Sequence, residues 1–390
     1  MPTLPSLGEL SLDTFLSDYW QKKPVVLRGV FPDWQCPLTP DELAGLAMEE
    51  EVESRLVLER DQGKPWQLKA GPFSDEDFDQ LPENGWSLLV QAVDHWVPEA
   101  TALLDQFRFI PNWRLDDLMV SYAPDGASVG PHFDFYDVFL VQGLGKRHWQ
   151  LGPKCNAQSA RVKDTPLNIL ADFKADAEYI LEPGDVLYVP PQFAHWGVAQ
   201  GDCMTYSVGF RAPSHAEILD DYVAELCSRL PEHLRYQDPA TAPTQTPGLL
   251  GNDALSALQA LLTEQINQPQ QLAQWFGKYM TEPKYLPDQG TETAPDQEAL
   301  SQAAAELQEH DGPLFQAPDA RFAYFESQLF ANGERYECDA ETAALLANTR
   351  CISGWQAQVT QPGVAALLSQ LVARDLLWFE DPTAPEGEDE

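Results

Sequence analysis

Gly126-Ala127-Ser128-Val129-Gly130-Pro131-His132-Phe133-Asp134 sets an imidazole and a carboxylate two residues apart, behind a glycine- and proline-rich approach. On a strand, positions i and i+2 share a face, so both side chains can reach one metal ion. Sixty-one residues after Asp134 stands His195, at the end of Glu182-Pro183-Gly184-Asp185-Val186-Leu187-Tyr188-Val189-Pro190-Pro191-Gln192-Phe193-Ala194-His195. A Pro-Gly-Asp turn feeds an apolar strand, a proline pair ends it, and the histidine enters the next strand. Two imidazoles and one carboxylate on a common face leave three coordination positions open, a donor set suited to a non-haem iron. A lone His-x-Asp is common and carries little weight. The distal His behind its Gly-Asp turn and proline stop supplies the rest, and a surface His beside a strand-end Asp does not explain all three placements.

Around this set the first half of the chain is β-rich. Pro24–Arg28, Trp86–Val90, Asp117–Tyr122, Val138–Val141, Lys146–Leu151, Val186–Val189 and Thr205–Phe210 are short apolar runs bounded by Gly, Pro or Asp. Many short strands with tight turns predict a barrel or sandwich, decorated here by helices over Leu12–Gln21 and Pro40–Met48. Within Lys146–Leu151, alternation puts Arg147 on the face of Trp149 and Leu151, with Lys146, His148 and Gln150 on the other. A guanidinium among inward apolar residues requires an anion, because an unpaired buried charge costs several kcal/mol. The distal carboxylate of 2-oxoglutarate would pair with it bidentately; an internal Arg–Asp pair would also satisfy it. His148 reads as a surface or packing residue rather than a ligand, and His95, His215, His233 and His310 fall in no metal-ligand spacing.

The pattern changes at Pro213. Ser214 and Glu217 form a capping box ahead of Ile218, Tyr222, Val223, Leu226 and Leu230 at helical spacing. After a Pro/Thr-rich loop at 238–248 come a stripe of Leu255, Leu258, Leu262 and Ile266, then a helix opened by Pro269 that carries Leu272, Trp275, Phe276 and Tyr279. Their large apolar residues suit an intrachain core or a homodimer contact, and a homodimer through Ser214–Met280 is expected. A linker at 284–296 leads to helices over 297–308, 340–348 and 362–373 with short strands around Ala331-Asn332-Gly333 and Leu376–Phe379. That order suggests a winged-helix-like module. Residues 297–390 hold four Arg, no Lys and seventeen acidic residues, a net −13, which opposes phosphate contact. No DNA binding is expected. The expected domains are therefore 1–212, 213–283 and 297–390.

Bulk properties agree. The 390 residues carry a formal charge of −37, which repels nucleic acid and anionic lipid and attracts basic partners. Adaptation to a salty interior is the competing account of that charge. No apolar run approaches the roughly 20 residues of a membrane span. Met1 to Leu10 lacks the features of a secretion signal, and six scattered cysteines show no paired spacing, so a cytoplasmic place is expected.

The stretches "FLSDYWQKKPVVLRG", "RFIPNWRLDDLMVSYA", "VGPHFDFYDVFLVQGLGKRHWQLG", "LEPGDVLYVPPQFAHWGVA" and "YSVGFRAP" resemble the bacterial JmjC-domain ribosomal oxygenases, in particular the arginine hydroxylases of large-subunit ribosomal protein number sixteen. The resemblance covers roughly 1–212 by motif and 213–390 by architecture. It implies an α+β chain: a JmjC/cupin-type double-stranded β-helix, a helical dimerisation region and a winged-helix-like C-terminal domain. It implies Fe(II) on His132, Asp134 and His195, and 2-oxoglutarate held by Arg147 and by Ser121 on the strand before the His-x-Asp. The implied reaction consumes O2 and 2-oxoglutarate, releases succinate and CO2, and hydroxylates an arginine of a basic ribosomal protein. Tyr136 and Asp116 or Asp117 are candidate partners for that arginine; packing and turn capping are their ordinary roles. Lys146 beside Arg147 and Trp196 after the distal His depart from the family pattern, and Trp196 is expected to shape the pocket mouth. Rival readings are a JmjC histidine hydroxylase or lysine demethylase, a metal-binding cupin without oxygenase activity, and a winged-helix regulator.

Overall fold

The computed structural model describes residues 6–61, 63–238, 243, 245–285, 294–361 and 363–382. The loop expected at 238–248 and the linker at 284–296 fall partly outside these, and the acidic tail from Pro385 wholly so.

Nine antiparallel strands form the main sheet, in the order Val25–Leu27, Val186–Val189, Val138–Lys154, Phe193–Phe210, Leu115–Ala123, Trp86–Val90, Ser54–Asp61 and Lys64–Ala70, with Ala177–Leu181 on Val138–Lys154. Two of them span 17 and 18 residues, longer than a flat strand usually runs. The first joins two runs that the sequence pattern separates, Val138–Val141 and Lys146–Leu151, and the second extends the run Thr205–Phe210 back through His195. Their ladder breaks register between Gln200 and Met204, where the pair bends from one layer to the other. Gly145 sits at this corner with φ +62°, and a Cβ there would lie 2.0 Å from the Asp202 carbonyl oxygen. Any side chain would push the corner open.

The bend separates two cores. Phe15, Phe107, Phe139, Tyr188, Tyr206 and Phe210 fill the larger. Val138, Leu140, Trp149, Leu151, Leu181, Leu187 and Val189 fill the smaller, beneath the site described below. Val138–Gly143 is buried on both faces, whereas from Lys146 onward burial alternates. Ser54–Asp61 and Lys64–Ala70 add an outer hairpin whose mixed charged sequence (Ser-Arg-Leu-Val-Leu-Glu-Arg-Asp) hides its period.

Three helices follow, His215–Arg229, Asn252–Ile266 and Pro269–Thr281. Trp275 and Phe276 were expected on a dimer face. They turn inward instead: Trp275 is buried against Tyr222 and donates to Asp221, and Phe276 meets Trp113 edge-on. Leu255, Leu258, Leu262, Ile266 and Leu272 stay exposed, and helix Asn252–Ile266 buries no residue at all. The C-terminal unit packs helices Gln297–Glu309, Ala340–Asn348 and Val364–Val372 around a shared apolar core. Its hairpin Gln328–Ala331/Glu334–Glu337 turns at Asn332-Gly333, both at positive φ. A buried cluster joins it to the sheet domain: Arg350 and Arg108 both bond Asp105. No helix among the described residues is long and apolar enough to cross a membrane.

Candidate active site

His132 and His195 meet through an isolated antiparallel bridge, His132 N–H to the His195 carbonyl at 3.1 Å and the reverse at 2.9 Å. The His-x-Asp segment thus lies outside any regular strand, contrary to the pattern-based expectation. Extended backbone still places alternate residues on one side, and Gln192 N–H tethers the Asp134 carbonyl at 2.6 Å. Each imidazole gives Nδ1 to a carbonyl two residues back, Gly130 at 2.9 Å and Phe193 at 3.0 Å. A carbonyl only accepts, so Nδ1 carries the proton and Nε2 is left as the ligand atom. Those Nε2 atoms stand 3.9 and 3.6 Å from Asp134 Oδ2, and the three donors lie within 4.8 Å of one another. Burial first, then the neighbouring imidazole, lowers the His195 pKa to about 4. His195 is neutral at neutral pH, the form a metal requires. Two imidazoles and one carboxylate fit a divalent non-haem metal and leave half its coordination sphere for reactants.

The three residues line a cavity of about 320 Å³ that also holds Ser121, Tyr136, Arg147, Trp149, Thr205, Asp116 and Asp117. Arg147 is 3% exposed, and its Nε reaches only the Cys203 thiol, at 3.2 Å. Its Nη2 is buried with no hydrogen-bond partner among the described residues. An internal Arg–Asp pair is therefore not what satisfies this guanidinium. A carboxylate placed against it fits the donor chemistry, and Ser121, on Leu115–Ala123 one strand beyond Phe193–Phe210, lines the same cavity.

The outer end is acidic and already bonded. Asp116 faces three cations, Lys284 at 2.9 Å, Arg321 at 3.2 Å and Arg211 at 3.6 Å, which fasten the C-terminal segments to the sheet. Asp117 is buried and receives only neutral hydrogen bonds, on one oxygen: Gln91 at 2.8 Å and the Tyr285 hydroxyl at 2.6 Å, with Lys284 3.8 Å away. Of the two candidate acids, Asp117 is the one with an oxygen, Oδ1, that no donor among the described residues reaches. Tyr136 lies off any strand yet lines the cavity. Burial, then the charge of Asp134, with which it hydrogen-bonds, raises its phenol pKa.

Two sequence departures lie outside the lining of the cavity. Trp196 donates to Ser128 Oγ at 3.1 Å and packs on Phe173, so it braces the His132 loop rather than shaping the mouth. Lys146 pairs on the surface with Glu182. Conversely, Arg55, Gln91, Lys284 and Tyr285 line the cavity without any local signal, because they arrive from the outer hairpin region and from after the helices.

A model of the JmjC domain matches residues 102–218, and one described as a ROXA-like winged helix matches residues 264–378. The ribosomal protein uL16 3-hydroxylase of Escherichia coli (strain K12) is 38% identical over 379 residues, which are 95% of this chain and 98% of that protein. A probable ribosomal oxygenase of Haemophilus influenzae is 39% identical over 259 residues, 65% of this chain and 64% of its own. Among solved structures, E. coli YcfD superposes with a TM-score of 0.86 at 37% identity, covering 95% of this chain and 99% of the other. YcfD in complex with cobalt and 2-oxoglutarate gives 0.82 at 36% identity, covering 96% and 99%.

Proposed function

The chain belongs to the JmjC-domain ribosomal oxygenases, and from that premise we propose that it hydroxylates an arginine side chain of ribosomal protein uL16, using Fe(II), O2 and 2-oxoglutarate. The observation that carries this reading is one cavity with a His-Asp-His donor set, a buried guanidinium nitrogen without a partner, and a buried carboxylate at the opposite end. His132, Asp134 and His195 would hold the iron; Arg147 and Ser121 would hold 2-oxoglutarate. When bound, iron and 2-oxoglutarate supply the oxidising chemistry, with succinate and CO2 released.

The chain's own residues do the positioning. The Nδ1 bonds of both histidines hold the rings with Nε2 free, so that His132, Asp134 and His195 would hold the metal through Nε2 and a carboxylate oxygen. Arg147 fixes the far carboxylate and with it the register of the cosubstrate. Asp117 offers Oδ1 to a guanidinium entering from the mouth, while Gln91 and Tyr285 hold the other oxygen in place. Tyr136, protonated and beside Asp134, lines the path of the side chain towards the metal. A cytoplasmic site of action, where ribosomal proteins meet the enzyme, belongs to this proposal.

We propose further that 1–212 is the catalytic domain, 213–283 a helical dimerisation region and 297–390 a winged-helix-like domain. The exposed apolar stripe of Asn252–Ile266 supports a homodimer, since a helix burying nothing in its own chain gains stability from a second copy. A monomer in sedimentation at micromolar concentration would remove that part.

The decisive experiment is incubation of purified uL16 with the enzyme, Fe(II) and 2-oxoglutarate, reading by mass spectrometry which residue gains one oxygen. An arginine is expected. Oxidation confined to histidine, or succinate release with no modified ribosomal protein, would reject the substrate assignment.

A further inference from the structure

Three buried polar atoms without a hydrogen-bond partner among the described residues belong to side chains that line the cavity: Arg55 Nε, with Glu53 3.8 Å away, and, two residues apart on one strand, Arg147 Nη2 and Trp149 Nε1. Trp149 is 4% exposed. An indole N–H has no acceptor role to fall back on, and buried donors of this kind nearly always have a partner. The neighbours of Trp149 explain its packing and leave its N–H unexplained.

The seat of the indole is rigid. Trp149 pairs with Gly197 across the ladder, and a Cβ at Gly197 would lie 2.7 Å from Cζ3, 2.8 Å from Cη2 and 2.9 Å from Arg147 Cδ. The glycine lets the indole and the arginine stem lie directly on the adjoining backbone. Arg147 and Trp149 are i and i+2 on one strand face, with the guanidinium carbon 5.7 Å from the ring. On its other side the indole stands 6.0 Å, centroid to centroid, from the His195 imidazole. Trp149 therefore spans the interval between a metal ligand and the arginine, the interval a five-carbon diacid has to bridge.

We propose that Trp149 is a recognition residue for the cosubstrate, its Nε1–H donating to the distal carboxylate that Arg147 pairs with. This rests on the 2-oxoglutarate reading above and extends it by one residue. A carboxylate has about four lone-pair sites, so a guanidinium, a serine hydroxyl and an indole can share one without competition. A single anion thereby satisfies both unpartnered donors. It also gives the tryptophan a part in selecting a dicarboxylate over a 2-oxo acid with an apolar end.

The test is equilibrium binding by calorimetry, on enzyme loaded with Mn(II) under nitrogen, of 2-oxoglutarate and of 2-oxopentanoate, which ends in a methyl group. Trp149→Phe keeps an aromatic ring and removes the donor. The expected result is roughly tenfold weaker 2-oxoglutarate binding, the loss of one charge-assisted hydrogen bond, with 2-oxopentanoate affinity and Mn(II) affinity unchanged. Equal loss for both acids, or none for 2-oxoglutarate, would overturn the assignment while leaving the cosubstrate reading intact. Wild-type enzyme that fails to bind 2-oxoglutarate at all would remove both. A second readout avoids the variant's fold: in 15N-indole spectra of the wild type, the Trp149 resonance should shift on adding 2-oxoglutarate and not on adding 2-oxopentanoate. A resonance that stays in place with bound 2-oxoglutarate counts against the proposal.

Discussion

The two ends of the cavity are built on opposite terms. At the inner end, Arg147 and Trp149 each keep one buried donor, Nη2 and Nε1, without a partner among the described residues, on a strand paired on both sides. At the outer end the charges are engaged. Asp116 is shared by Lys284, Arg211 and Arg321, and Asp117 is held by Gln91 and Tyr285. The inner end is suited to one small anion bound in one way. The outer end is assembled from a strand, a hairpin neighbour and a segment beyond the helices, so its shape depends on the C-terminal half staying docked. Under the proposed function, chemistry and substrate choice rest on different parts of the chain, and they should respond differently to mutation, pH and salt.

The largest effect should come from the metal set. Asp134→Ala removes the only carboxylate of the set, and 2-oxoglutarate turnover should fall below detection while the unfolding midpoint stays close to wild type. Full turnover in a purified Asp134→Ala protein would show that the inner end is not where the metal binds.

The next effect concerns pH. His195 has a folded-state pKa of about 4 against an ordinary 6.5, because burial disfavours its charged form. The unfolded chain therefore takes up its proton first as pH falls. Metal-free enzyme should keep the full contribution above pH 6.5 and lose it progressively down to about pH 4, on the order of 3 kcal/mol in all. Urea unfolding at pH 7 and pH 5 reads this, and His195→Gln should flatten the difference. A wild-type profile no steeper than that of the variant would mean the inner end is wetter than its geometry indicates.

A smaller effect should separate the two acids of the outer end. Asp117→Asn should raise the KM for uL16 by about tenfold or more, the loss of a charged hydrogen bond, with 2-oxoglutarate affinity untouched. Asp116→Asn should instead loosen the C-terminal half, lowering thermal stability more than it changes KM. If Asp116→Asn raised KM as much as Asp117→Asn at equal stability, the division between anchor and acceptor would fail.

How much of this could be read from the sequence follows the range of the interactions. His132, Asp134 and Arg147 were legible because extended backbone alternates every two residues, whether or not a ladder forms; the bridge at His132 shows that a full strand is not needed. The bends in the two long strands were not legible, because Gly145 reads as an ordinary turn until the partner backbone at Asp202 is in place. Tyr285 was invisible for a stronger reason: it bonds Asp117 from 168 positions away, and no periodicity spans that distance. The helical stripes told which residues are apolar but not what covers them, so Trp275 and Phe276 could not be told apart from Leu258 and Leu262.

The smallest expected effect uses salt to compare the two ends directly. A chain at −37 and a basic ribosomal protein attract over distances that salt screens, with a Debye length near 10 Å at 0.1 M and about 3 Å at 1 M. Encounter with uL16 should therefore slow as salt rises, and its KM should climb by a few-fold between about 50 and 300 mM. The 2-oxoglutarate end behaves differently. Arg147 is 3% exposed, and a buried pair is shielded from mobile ions by the protein around it. The net negative field even opposes entry of a dianion, and screening would weaken that opposition. The KM for 2-oxoglutarate should thus stay level or fall slightly over the same range. Parallel rises in both constants would point to a general loss of activity at high salt. A flat response for uL16 would assign the acidity to solubility alone and leave the outer end to select its substrate through Asp117 and its neighbours, without help from the field of the whole chain.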